Sequence, residues 1–328
     1  MRDHVIVIDT ITELKFSMNF NTFNKLTLMS WNFRGIMSGV AYLVECLNKY
    51  SVDICALQEH WLRGHCAHML DSIDPFYQSV NTKCVDDNNP TLIKTRMEGG
   101  VTIIVKSSIL KYVECIELDE NRITGIEIPT LNSERIFCFC VYLPATSKSF
   151  EYFRTYVERL YDIYSVYSEM RTVYILCDLN VKVNGPRLTS IVTDKRFELF
   201  EHCLNEFNLV SLHLQPFGVD STYTFQSYED GPTTSIDHIL LSNDYICQVN
   251  SGRVIDDHSF NVFDHHPIIV EVKIDQNMDV ESETIPISDK VAWGKARQQN
   301  KLTDYSYAVS QFLWDIEVPN VRCNNQDI

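Results

Sequence analysis

Polar side chains interrupt the apolar runs of this sequence at six places, and the residue types found there share one chemistry. Asn32 follows LTLMSW, and Gln58 and Glu59 follow DICAL. Tyr142 ends FCFCVY, and Asp178 and Asn180 close on VYILC. Asp237 and His238 lie within SIDHILL, and Asp264, His265 and His266 precede PIIVEV. A charge buried without a partner is costly, so such residues sit at strand edges or around a cation. Taken singly, each has a plain reading: an Asp or Asn at a strand end is commonly a turn former. Taken together, they supply every role that phosphodiester hydrolysis needs. A hard cation offsets oxyanion charge, one group orients water, and donors hold the phosphate. Carboxylate and amide oxygens suit Mg²⁺. If the strands lie side by side, all six places converge at one end of the sheets.

The elements that must position these groups can be read from periodicity. Residues 1–24 read as an irregular lead-in. Strands are expected at Lys25–Trp31, Asp53–Gln58, Val101–Lys106, Ile123–Ile128, Arg135–Tyr142, Val173–Cys177, Tyr223–Phe225, Ile236–Leu241 and Pro267–Lys273. Apolar residues at helical spacing predict helices over Ser38–Tyr50, from about Ser149, and over Asp194–Phe207, with Ser38 as an N-cap. The polar stretch 81–98 reads as a loop. Strands outnumber helices, and some neighbouring strands are joined by short turns. That favours an α/β fold of mixed sheets with helices outside over a single parallel sheet. No internal repeat is visible. Residues 275–328 read as a polar linker followed by a small helical tail, which gives three parts: 1–24, 25–274 and 275–328.

Composition limits the function classes. The 328 residues are 45% hydrophobic, enough for a large core. No run of about 20 apolar residues appears, so no membrane span is expected. The net charge of −16 is unusual for a nucleic-acid enzyme, because such affinity normally rests on Lys and Arg. Residues 275–328 carry five bases and nine acids, so most of the acidity belongs to the segment with the candidate site. A polyanionic substrate would therefore need metal-assisted or partner-assisted binding. Eleven scattered cysteines, several inside apolar runs, read as small buried hydrophobes in a reducing compartment. Cys138 and Cys140 should share one strand face. His65 and His68 have His-x-x-His spacing, but a structural zinc needs a second ligand pair, and none lies nearby.

In chain order, SWNFRG (30–35), LQEHWL (57–62), YLP (142–144), DLN (178–180), SIDHIL (235–240) and DHHP (264–267) resemble the motifs of the endonuclease/exonuclease/phosphatase superfamily. The WNxRG and QEHWL forms, with YTF at 223–225, are most similar to the apurinic-type endonuclease domain of non-LTR retrotransposons. The resemblance spans residues 25–274 and implies a four-layer sandwich of two mixed β-sheets flanked by helices. It implies a DNA endonuclease dependent on Mg²⁺, with Mn²⁺ as the alternative ion, working beside a reverse transcriptase domain of the same polyprotein. An intracellular location would follow, in the nucleus for action on genomic DNA. Trp293, Tyr305, Leu313, Pro319 and Cys323 resemble the segment that joins endonuclease to polymerase in such elements.

The resemblance also assigns roles. Glu59 is the principal metal ligand, with Asn32 and Asp264 close to the ion, and Asn32 also near substrate. Asp178 orients or deprotonates the attacking water, and Asn180 positions water and phosphate. His265 contacts phosphate or acts as acid or base, oriented by Asp237. Tyr142 contacts phosphate or the leaving oxygen, and Thr224 matches a polar position beside the substrate. An Asp–His pair would fix the imidazole tautomer and raise its pKa. Three positions depart from the family pattern: Phe263 stands where Ser is usual, Cys177 where Gly is usual, and Leu179 where Phe is typical. Two other functions remain open: another hydrolase of this fold (repair endonuclease, phosphatase or nucleotide phosphodiesterase), and an inactive retroelement-derived binding module.

Overall fold

The computed structural model describes residues 20–22, 25–85, 98–118, 121–129, 135–183, 194–217, 223–227, 231–256, 264–274 and 279–281. The chain divides into two compact units, Met1–Ser282 and Glu283–Ile328. Every described residue belongs to the first. The linker and tail read from 275 onward lie outside the described residues except Asp279–Glu281, and Phe263 lies outside them too.

Two six-stranded mixed sheets form the body. In chain order their strands are β1 (Lys25–Asn32), β2 (Ile54–Gln58), β3 (Tyr77–Lys83), β4 (Val101–Lys106), β5 (Glu114–Ile116) and β6 (Ile123–Pro129). There follow β7 (Arg135–Tyr142), β8 (Thr172–Asp178), β9 (Leu209–Ser211), β10 (Asp237–Ser242), β11 (Val249–Val254) and β12 (Ile268–Lys273). The first sheet has the order β11-β12-β1-β2-β4-β3 and the second β9-β10-β8-β7-β6-β5. In each, the central pair is parallel, β1 with β2 and β7 with β8, and every other pair is antiparallel. The two sheets therefore repeat one pattern. Each parallel pair is joined by a helix, α1 (Ile36–Lys49) in the first sheet and α2 (Phe150–Ser168) in the second; α3 (Lys195–Glu206) follows β8.

Side-chain alternation builds the layers. Along β1, Leu26 and Leu28 face the core between the sheets, while Met29 and Trp31 face the layer that holds α1. Along β8, Tyr174 and Leu176 enter the same inter-sheet core, while Val173, Ile175 and Cys177 pack toward α2 and α3. The result is helix, sheet, sheet, helix, the four-layer α/β sandwich that the resemblance implies. Cys138 and Cys140 both point into the inter-sheet core. No helix among the described residues is long and apolar enough to cross a membrane.

Three local expectations need correction. Helix α1 starts at Ile36, with Gly35 as its N-cap, so Ser38 lies inside the helix. Tertiary bonds fix the earlier start, because the Gly35 and Ile36 amides donate to the carbonyls of Glu59 and His60. The Tyr223–Phe225 strand is only Phe225–Gln226, paired with Thr233–Thr234. Phe20–Thr22 pairs with Asp279–Glu281, so the lead-in is not wholly irregular. Four strands escape a reading by pattern: β3, β5, β9 and β11. The last alternates buried and exposed residues only imperfectly around Gly252.

Candidate active site

The parity that builds the core also aims the site. Asn32 continues the stripe of Leu26 and Leu28, and Gln58 that of Ile54 and Ala56. Tyr142 continues Cys138 and Cys140, and Asp178 continues Tyr174 and Leu176. Asp237 begins the stripe of Ile239 and Leu241. All five lie at the ends of strands on the faces that meet between the sheets. Register aligns them, since Asn32 is opposite Gln58, Tyr142 opposite Asp178, and Asp178 opposite Asp237.

Asp178 is the centre of the group and is fully buried. Its Oδ2 accepts from Asn32 Nδ2 at 2.8 Å, across the two sheets. Its Oδ1 accepts the backbone N–H of Asn180 at 2.8 Å. Asn180 takes the left-handed conformation, φ 52°, and its Nδ2 donates to Leu143 O at 2.9 Å, which leaves Oδ1 to accept from water. Burial pushes the Asp178 carboxyl well above the usual carboxylate range, and the Asp237 charge adds to this. His265 and the Asn32 amide act in the opposite sense.

His265 Nδ1 lies 3.0 Å from both carboxylate oxygens of Asp237, again across the sheets. Burial alone would lower the ring's pKa, but Asp237 outweighs it by charge and hydrogen bond, with help from Asp178 and Glu59. The pKa rises from 6.5 to about 9, so the ring is a cation at neutral pH. Its main chain is held by Trp31, whose Nε1 donates to His265 O at 3.1 Å, and Phe225 packs edge-on against the ring. Thr224 acts through the backbone: its Oγ1 accepts the amides of Ile236 and Asp237 at 3.1 and 3.0 Å.

Glu59 is only half-buried and sits at φ 54° in a turn where Trp61 is also left-handed. Its Oε2 accepts from Trp61 Nε1 at 2.9 Å. Burial, followed by the charge of the nearby Glu59 carboxylate, raises the Tyr142 pKa. The Arg122 guanidinium lies 4.8 Å over the Tyr142 ring and forms an ion pair with Glu98. The turn is closed by tight packing. A Cβ on Gly35 would meet the Trp61 ring at 2.6 Å, and one on Gly100 would meet the His60 ring at 2.6 Å. His60 is buried and its pKa falls to about 4, chiefly through burial; it accepts the Leu62 amide as a neutral ring.

The structure thus brings Asn32, Tyr142, Asp178, Asn180, Asp237 and His265 into one cluster, with Thr224 behind it. Glu59 lies near enough to act on the pKa values of Tyr142, Asp178 and His265. Asp264 is at the rim, in an ion pair with Arg34. Cys177 and Leu179 fill space in the outer core, away from the inter-sheet face. Away from the cluster, His68 Nδ1 lies 3.1 Å from the His65 carbonyl oxygen. Pattern reading missed Trp31, Trp61 and Arg34 as supports. The signal was their place inside the quoted motifs, one or two residues from Asn32 and Glu59.

The donor set fits a hard divalent cation. Among the described residues, one group of three close ligand atoms, on Asp178, Asp237 and His265, lies within 4.8 Å of one another. A protonated ring makes that trio a poor cation site, since Asp237 is already neutralised. Glu59, partly exposed and near enough to Asp178 to act on its charge, is the better position, and its oxygens suit Mg²⁺. Gln58 Oε1 and Asp264 Oδ1, both buried, have no hydrogen-bond partner.

Solved structures with this architecture include an AP endonuclease from Leishmania major, with TM-score 0.59 and 17% identity, covering 82% of this chain and 93% of that one. The endonuclease domain of TRAS1, a telomere-specific non-LTR retrotransposon, matches with TM-score 0.55 and 15% identity, covering 76% and 100%. The 3′ phosphatase NExo from Neisseria, bound to a product DNA hairpin, matches with TM-score 0.58 and 17% identity, covering 75% and 99%. No protein-family model and no curated protein sequence matches the chain. The fold is that of the AP endonucleases and their relatives.

Proposed function

We propose that this chain is a divalent-metal-dependent DNA endonuclease of the non-LTR retrotransposon type, which nicks genomic target DNA in the nucleus for a reverse transcriptase domain. The observation that carries the hydrolytic reading is a buried carboxylate of raised pKa, Asp178, set beside a cationic His265 and an accessible Glu59. The WNxRG and QEHWL motifs support the retrotransposon class, and the likeness to the TRAS1 domain agrees with it.

In this mechanism Glu59 would hold Mg²⁺, with Mn²⁺ as a substitute. The ion, when bound, offsets the charge of the phosphate and of the leaving oxygen. Asp178 takes a proton from the attacking water, which its raised pKa favours. The Asn180 Oδ1 orients that water. The new bond joins water oxygen to phosphorus, the bond from phosphorus to the 3′ oxygen breaks, and that oxygen takes a proton from solvent water, leaving a 3′-hydroxyl and a 5′-phosphate. His265, with Nδ1 held by Asp237, donates through Nε2 to a phosphate oxygen. Tyr142 Oη stands beside Glu59 as a further donor.

A nicking assay on supercoiled plasmid, with Mg²⁺ and with EDTA, tests this reading. Nicking is expected only with metal, and full activity in EDTA would overturn the mechanism. Two further substrates separate the relatives of the fold. Cleavage confined to abasic duplexes would make it a repair enzyme, and release of 3′-phosphate without nicking would make it a phosphatase.

A further inference from the structure

The carboxylate of Asp264 is already engaged by a cation of the protein's own. Its Oδ2 is ion-paired with Arg34 Nη1, and the two side chains are only 14% and 25% exposed. Its Oδ1 is buried with no hydrogen-bond partner. Arg34 is held in place twice. Its backbone sits in the left-handed region, φ 41°, and its amide donates to Asn32 Oδ1 at 3.2 Å. The next residue, Gly35, is tied by its amide to the Glu59 carbonyl. One short turn therefore occupies an oxygen of Asn32 and an oxygen of Asp264. Those are two of the three residues that the sequence resemblance places near an ion. Glu59 is the third, and its carboxylate accepts from Trp61, a neutral donor.

We propose that Arg34 is a built-in cation that takes the place of a divalent ion at Asp264, so that this centre holds a single ion, at Glu59. A guanidinium on one oxygen of a carboxylate repels a divalent ion at the other and weakens its binding there. Arginine is the side chain suited to this task, because it stays charged and its planar fork matches a carboxylate. A tethered charge also cannot be diluted, so Asp264 stays neutralised at any Mg²⁺ concentration. The inference rests on the metal-dependent reading above and deepens it by setting the number of ions.

The test is a Mn²⁺ titration of EDTA-stripped protein, with free Mn²⁺ read by electron paramagnetic resonance. The wild type is expected to bind one ion, Arg34→Ala two, the double variant Arg34→Ala with Asp264→Asn one, and Arg34→Lys one. Circular dichroism checks the fold of each. If Arg34→Ala fails to fold, Asp264→Asn alone decides the matter: one ion at the wild-type midpoint supports the inference, and loss or a tenfold weakening of that ion overturns it. Two ions in the wild type, or one in a folded Arg34→Ala, also overturns it while leaving the metal-dependent reading intact. No ion in any variant removes both.

Discussion

Replacing Asp237 with Asn keeps the size of the side chain and removes the charge that faces His265. The ring's pKa stands at about 9 against an ordinary 6.5, a rise equivalent to about 3 kcal/mol. Burial opposes that rise, and Asp237 is the largest contribution in its favour, with Asp178 and Glu59 behind it. In the variant, burial meets only the two weaker charges, so the midpoint should fall by about 2 units or more. The sign for stability follows from a pKa raised by folding. The pair's contribution is complete below pH 6.5 and is lost as pH climbs through about 9. Asp237→Asn should therefore lower stability by about 3 kcal/mol at pH 6, by progressively less between about pH 6.5 and 9, and by almost nothing at about pH 10. Titration of the ring by ¹⁵N-edited NMR in EDTA reads the midpoint, and urea unfolding at both pH values reads the stability. A His265 midpoint within roughly half a unit of wild type would refute the reasoning, because the Asp237 charge would then not be what sustains the imidazolium.

Glu59→Gln should cut nicking by orders of magnitude while the circular dichroism spectrum is unchanged; undiminished nicking would remove Glu59 from the metal site. Trp61→Phe removes one hydrogen bond to a charged acceptor, worth about 1.5–3 kcal/mol, and should raise the Mg²⁺ needed for half-maximal rate by about 10-fold or more. An unshifted Mg²⁺ curve would show that the indole only fills space. Gly100→Ala would force a Cβ against the His60 ring at φ 87°, and a fall of several degrees in Tm is expected; an unchanged Tm would mean that the turn yields freely. Nicking by wild type should fall as pH rises above about 9, where His265 loses its proton, and a rate still climbing there would deny the ring a role as donor.

The strand-end polar residues were legible because each breaks an apolar run, and parity then aims them. Asn32 lies an even number of residues from Leu28, and Asp178 likewise from Leu176, so both fall on the inter-sheet face. The partners of these residues were not legible. That Asn32 donates to Asp178 is a contact across 146 positions, and no local pattern carries it. The start of α1 was misplaced for the same reason, since its first amides are satisfied by carbonyls of a distant turn rather than by a Ser side chain. Strands β5 and β9 are three residues each, too short for alternation to register. The repeated pattern of the two sheets is invisible in the sequence because it lives in strand order and direction, which many different side chains satisfy.

The order in which the strands enter the first sheet has a consequence for how the cluster is assembled. The chain lays down β1 to β4, builds the whole second sheet, and then returns to add β12 beside β1, with Lys25 opposite Lys273. Until that return, β1 has an open edge, and His265 does not yet exist in the emerging polypeptide. During synthesis a ribosome-bound chain can hold Asn32, Glu59 and Asp178 for a long interval without the imidazole that faces them. Closing a loop of this span is slow relative to local pairing, so β12 is a late event in folding. A chain that has not yet reached β12 therefore lacks the imidazole that pairs with Asp237, and the cluster is complete only when β12 docks beside β1.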